Sequence, residues 1–140
     1  MSDRHLAELV VDLDAIAHNV RVFREAAAPA GVLAVVKADA YNHGVDVVAP
    51  AMLDAGVEQL GVATLGEALH LREILTELGE SYASAPITAW MWTPEEDLAD
   101  VFAADINVGV PSLAHARSLV EQAEKARREA QVSTCLLYTS

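Results

Sequence analysis

The sequence predicts an α/β protein with parallel strands, and three observations carry that prediction. Short apolar runs begin near residues 33, 60, 87 and 106, and between them apolar residues recur at helical spacing. Helix-start signatures follow two of the runs directly, at Thr64–Glu67 and at Thr93–Pro94–Glu96. The intervals between runs leave room for a helix in each connection, as parallel neighbours require. A doubly wound open sheet and a barrel share this pattern, and periodicity alone does not separate them.

Each element has its own warrant. Residues 9–13 suit an isolated first strand. After Asp14, the positions Ile16, Val20, Phe23 and Ala27 form one helical face that stops before Pro29 and Gly31. Residues 32–36 are an apolar strand. Val45, Val48, Ala49, Met52 and Leu53 make a second helical stripe, with Gly56 where a C-terminal cap favours glycine. Residues 60–63 read as a buried strand, and Thr64 with Glu67 opens a helix running to Gly79. Residues 87–91 give a third strand. Thr93, Pro94 and Glu96 predict a helix start with proline at its first position, where the missing N–H does no harm. Residues 106–108 give a fourth strand. Ser112 is the predicted cap of a last helix with Leu113, Ala116, Val120 and Ala123 inward, supported by the pairs Glu121–Lys125 and Glu124–Arg128.

Composition narrows the function. Nine basic against 21 acidic residues leave a net charge of −12, which argues against a nucleic-acid backbone or an anionic membrane as partner. No apolar run approaches a membrane span and the start does not resemble a signal peptide, so a cytoplasmic protein is expected. One cysteine, Cys135, excludes an internal disulfide framework and a cysteine zinc cluster. His/carboxylate pairs at metal-ligand spacing are absent, as are glycine runs of the dinucleotide or P-loop type, so no metal is expected.

The chemistry concentrates in residues 36–44, Val-Lys-Ala-Asp-Ala-Tyr-Asn-His-Gly. Alternation would put Lys37 on one face with Leu33 and Val35, near solvent at the strand's C-terminal end. A partly desolvated amine there favours its neutral, nucleophilic form and suits attack on a carbonyl. The plainer alternative is a strand-end lysine that reaches water.

This segment resembles the lysine signature of alanine racemases, V-V-K-A-D-A-Y-G-H-G, differing where Asn42 replaces the usual glycine. Asparagine tolerates a left-handed backbone, so the turn is expected to survive the change. Residues 11–19 look like the family's opening segment, and residues 61–68 like its second strand and following helix. The resemblance runs from about Glu8 to about Arg128 and selects the barrel over the open sheet.

What the resemblance implies is specific. The fold would be a partial (β/α)8 TIM-type barrel, about the first four strand–helix units, because a closed one needs roughly 250 residues. Residues 1–131 would be the N-terminal part of the barrel domain, with the C-terminal β-domain absent and the strand at 9–13 belonging beside it. Residues 132–140 lack any charge and lack the family's next motif, so they are read as a foreign or disordered tail; a fifth strand is the alternative. Lys37 would hold pyridoxal phosphate and act as one acid/base group in interconverting L- and D-alanine, with a tyrosine from a second subunit serving the other face. That implies a homodimer with shared active sites, supplying D-alanine for peptidoglycan. Tyr41 would hydrogen-bond the cofactor phosphate. Asp39 and His43 would orient the loop or a neighbouring side chain, and Trp90 would line the cofactor ring or serve as a core residue. His18, His70 and His115 read as solvated helix residues. The alternatives are a serine or broad-specificity racemase, or a non-catalytic pyridoxal-phosphate-binding barrel, although the latter lacks the Ala-Asp-Ala-Tyr stretch. The chain alone is expected to be inactive.

Overall fold

Parallel pairing in strict chain order organises the molecule, as the computed structural model, which describes residues 8–126, 130 and 132–134, reveals. Five strands, β1 (Leu33–Val35), β2 (Gln59–Thr64), β3 (Ile87–Met91), β4 (Ile106–Val110) and β5 (Val132–Thr134), form one sheet in the order 1-2-3-4-5. All four pairings are parallel. A doubly wound sheet reverses its strand order at a switch point. None occurs among these strands, so the fold is part of a (β/α)8-type barrel. Residues 135–140 of the expected tail lie outside the described residues, as does Arg128 of the predicted Glu124–Arg128 pair.

Register builds the core. Leu60 is in line with Ile87, and Ile87 with Ile106; Val62 is likewise in line with Ala89, and Ala89 with Val108. These side chains are buried together with Ala68, Leu71 and Leu75 of α4 (Leu65–Glu77), Val101 of α6 (Ala99–Ala103) and Leu119 of α7 (Leu113–Ala126). Full burial of each large aliphatic stabilises the fold by about 1.5–3 kcal/mol. Alternate strand positions face the other way, where Trp90 crosses Gly61 and Gly109. A Cβ on Gly61 would lie 2.3 Å from the Trp90 indole. The two glycines therefore make the indole's seat.

At the edge, α1 (Leu13–Ala27) and α3 (Val45–Asp54) flank β1 and leave an apolar groove of about 330 Å³. The N-terminal ends of the strands are tied by side chains. Glu58 accepts from the Val32 N–H at 2.7 Å and pairs with Arg24 at 3.3 Å. Arg72 donates to the carbonyls of Ala83, Ala104 and Asp105, closing the turns around α5 (Glu80–Ala83) and before β4.

Four expectations need correction. Residues 9–12 form no strand: Asp12 caps α1, Leu13 is its first residue, and Leu9 and Val10 are exposed and unpaired with any strand among the described residues. Thr93–Glu96 forms a turn rather than a helix start. Its capping bond is half made, Glu96 accepting from the Thr93 N–H, but α6 begins only at Ala99. The inward face of α7 is rotated, with Leu113 and Val120 exposed and Leu119 buried. Polar partners decide that rotation: Ser118 donates to the Pro94 carbonyl, and Gln122 bridges Glu96 and Leu98. His115 is not simply solvated. Its ring meets Trp92 edge-on at 4.9 Å and bonds Ser112 Oγ and the Trp92 carbonyl.

Candidate active site

Hydrogen bonding to β2 continues one residue past β1, where the Val36 N–H donates to the Gly61 carbonyl at 2.8 Å. The chain then enters α2 (Lys37–Asn42), a single turn of the opposite hand. Ala38, Asp39, Ala40, Tyr41 and Asn42 have φ of 51°, 55°, 50°, 56° and 63°. For L-residues each such conformation costs roughly 1–2 kcal/mol, and only Asn and Asp reduce that by local hydrogen bonding. Asn42 behaves as expected. The four residues before it make the turn far more left-handed than one asparagine predicts.

A turn of that kind persists only where its surroundings fix it. Ala40 is buried. The Asp39 carbonyl accepts from His43 N–H and Gly44 N–H at 3.1 Å each. Asp39 Oδ1 accepts from the Val45 N–H at 2.8 Å, supplying the acceptor that α3 needs at its first turn. His43 Nδ1 lies 2.9 Å from the Ala40 carbonyl. At the upstream end, Glu67 Oε1 accepts from the Ala38 N–H at 2.8 Å. The other oxygen of Glu67 closes the Thr64–Glu67 capping box and also accepts from the Ala63 N–H at 3.0 Å. Burial pushes the Glu67 carboxyl up, but the Ala38, Thr64 and Ala63 N–H donors outweigh it and hold the group below the usual glutamate range.

The turn brings two of the sequence-predicted residues together. Lys37 Nζ lies 5.9 Å from the centroid of the Tyr41 ring, within cation–π range. Both side chains are exposed, so the desolvation expected of Lys37 is not found: Leu33 and Val35, its expected neighbours, are each about one-third exposed themselves. Asp39 faces a small cavity with Glu67 and His70, on the helix side of the turn. Trp90 lies on the opposite face of the sheet, across Gly61. The sequence showed Glu67 as a helix cap but gave no sign of its second bond, which crosses 29 positions.

A parallel barrel frame with an exposed amine and a phenol on the turn after its first strand defines a class: barrel proteins with lysine and tyrosine side chains at the C-terminal face of strand one, the face on which barrel enzymes build their sites. The chain belongs to the alanine racemase N-terminal domain family, which it matches over residues 11–134. It is 48% identical over 111 residues to the alanine racemase of Corynebacterium glutamicum, covering 79% of this chain and 29% of that protein. The alanine racemase of Streptomyces coelicolor superposes with a TM-score of 0.80 at 38% identity, over 89% of this chain and 32% of its own. Two more distant structures, each 27% identical, also superpose. One is an alanine racemase from Bartonella henselae with covalently bound pyridoxal phosphate, with a TM-score of 0.75 over 87% of this chain and 32% of its own. The other is a histidine racemase from Leuconostoc mesenteroides, with a TM-score of 0.71 over 86% of this chain and 30% of its own. The chain thus spans about 30% of the length of the curated relatives it matches. Among the described residues no helix is long and apolar enough to cross a membrane.

Proposed function

We propose that this chain is the lysine-bearing part of a pyridoxal-phosphate-dependent alanine racemase, with the barrel domain running on through β5 rather than stopping at residue 131. The observation that carries this reading is the pairing of Lys37 and Tyr41 on one anchored left-handed turn. The donor set suits the cofactor: an exposed primary amine can reach an aldehyde, and a phenol four residues on can donate to a phosphate oxygen. Lys37 would hold the cofactor and Tyr41 would bind its phosphate. When bound, pyridoxal phosphate supplies an electron sink that acidifies the α-hydrogen of an amino acid.

Racemisation needs one proton carrier on each face of the substrate. The Lys37 amine would serve one face, taking the α-proton at Nζ in one direction of the reaction and delivering one from Nζ in the other, while the opposite-face group does the converse. A tyrosine from a partner subunit serves the other, which makes the whole protein a homodimer with shared sites. The whole enzyme works in the cytoplasm, supplying D-alanine for peptidoglycan, and the chain alone is inactive. A broader or different amino-acid specificity is the second reading, favoured by the likeness to a histidine racemase.

The test uses the full-length protein carrying this segment. Loaded with pyridoxal phosphate and reduced with borohydride, it should yield a tagged peptide containing Lys37. It should racemise L-alanine faster than L-serine or L-histidine. Lys37→Ala should abolish the tag and lower kcat at least about 10³-fold. A tag elsewhere, or cofactor retention without turnover of any amino acid, would sink the reading.

A further inference from the structure

We propose that Glu67 is a positioning residue for Lys37, its carboxylate clamping the left-handed turn to the end of β2 so that the amine is presented in one orientation. The proposal rests on the reading of Lys37 as the cofactor's anchor.

A capping-box glutamate needs one oxygen, returned to the N-cap N–H. Glu67 meets that need with Oε2, which lies 2.9 Å from the Thr64 nitrogen and 3.0 Å from that of Ala63. Oε1 has no part in the cap. It accepts from Ala38, the first left-handed residue and the neighbour of Lys37, at 2.8 Å. The Ala38 N–H precedes the turn's first internal bond, from the Ala40 N–H to the Val36 carbonyl, so it needs an acceptor from outside the turn. The downstream end is fixed separately, by Asp39 on Val45. Upstream, the strand bond of Val36 and the carboxylate of Glu67 hold the corner. Loss of Glu67 leaves a backbone that prefers the opposite hand free to relax at the residue next to Lys37.

Cap and clamp are separable by mutation. Thr64→Ala removes the capping hydroxyl and leaves the carboxylate bridge. Glu67→Gln keeps a single acceptor oxygen and sets an NH₂ donor against an N–H donor, so one of the two corners must let go. Each variant is made in the full-length protein carrying this segment. Three quantities are read: amide exchange over residues 36–44 without cofactor, the rate at which pyridoxal phosphate becomes borohydride-fixed to Lys37, and kcat and KM for alanine.

For Glu67→Gln, exchange over residues 36–44 should quicken about tenfold. Fixation to Lys37 should slow and kcat should fall about 10–100-fold while KM moves far less, the signature of a misplaced reacting group. Thr64→Ala should lower Tm yet leave all three quantities within about twofold. Equal effects of the two variants, or a lower Tm alone in Glu67→Gln, would reduce Glu67 to a helix cap and overturn the proposal. If Glu67→Gln does not fold, Glu67→Asp, one methylene too short to span both corners, enters the same comparison under the same criteria. Absence of any tag on Lys37 in the unmutated protein would count against the anchor itself, while the exchange measurement still tests the clamp.

Discussion

The corners after β1 and β2 perform the same topological task in opposite ways. Both leave the C-terminal end of a strand and enter a helix on the same side of the sheet. After β2 there is no loop at all. Thr64 ends the strand and caps α4 in an ordinary extended conformation, φ −107° and ψ 161°, and its capping bonds stay within four residues. After β1 the chain passes through the left-handed turn and then through Gly44 at φ 85° before α3 begins. The β2 corner follows its residues' local preferences. The β1 corner overrides them and is held by two carboxylates, Asp39 and Glu67, the second of which belongs to the β2 corner. Strain therefore gathers at the corner that carries Lys37, and the relaxed corner supplies the means to hold it.

The largest effect expected from breaking this contrast is at Gly44. Its φ of 85° disfavours any side chain, and a Cβ there would lie 3.1 Å from Asp46 Oδ1. Gly44→Ala should therefore destabilise the protein by about 1–3 kcal/mol. Urea unfolding followed through Trp90 and Trp92 fluorescence would measure it, and an unchanged midpoint would mean that the corner is not strained.

Gly66, at the relaxed corner, should respond with the opposite sign. It lies in the first turn of α4, and a Cβ there meets nothing within 4 Å. Gly66→Ala should stabilise the fold by about 0.5–1 kcal/mol, because alanine loses less backbone entropy on entering a helix. Destabilisation by the same assay would show that the α4 corner also depends on special backbone geometry.

The contrast also explains what the sequence made legible. The relaxed corner was readable because Thr64 and Glu67 announce a cap through short-range chemistry, and Gly56, at φ 100°, announces the end of α3 the same way. The buried strands were readable because Leu60, Val62, Ile87 and Val108 sit in short stretches dominated by apolar residues. The left-handed turn was not. Ala38, Ala40 and Tyr41 favour the right-handed region, and only Asp39, Asn42 and Gly44 hint otherwise. The orientation of α7 was hidden for a related reason. Hydrophobic spacing pointed to Leu113 and Val120, but bonds from Ser118 and Gln122 to a distant loop turned the helix. In both of these misses a long-range polar contact outweighed a local preference.

The smallest expected effect sharpens the contrast through pH. Glu67 is held below the usual glutamate value of about 4.3, as burial is outweighed by three backbone donors. A group whose folded pKa is depressed contributes its stability above the unfolded pKa and loses it as pH falls through the folded one. Acidification from above the usual glutamate value to below the group's lowered folded value should therefore release the Ala38 N–H, lowering exchange protection at the β1 corner. Glu58 is also held low, chiefly by its bond to the Val32 N–H, but that release falls at the opposite end of the strands. Protection factors corrected for intrinsic exchange, read at Ala38 and Val32 separately, distinguish the two. If Ala38 keeps its full protection when Glu67 is protonated, the bond between the corners is a passive contact, and the strained turn stands without it.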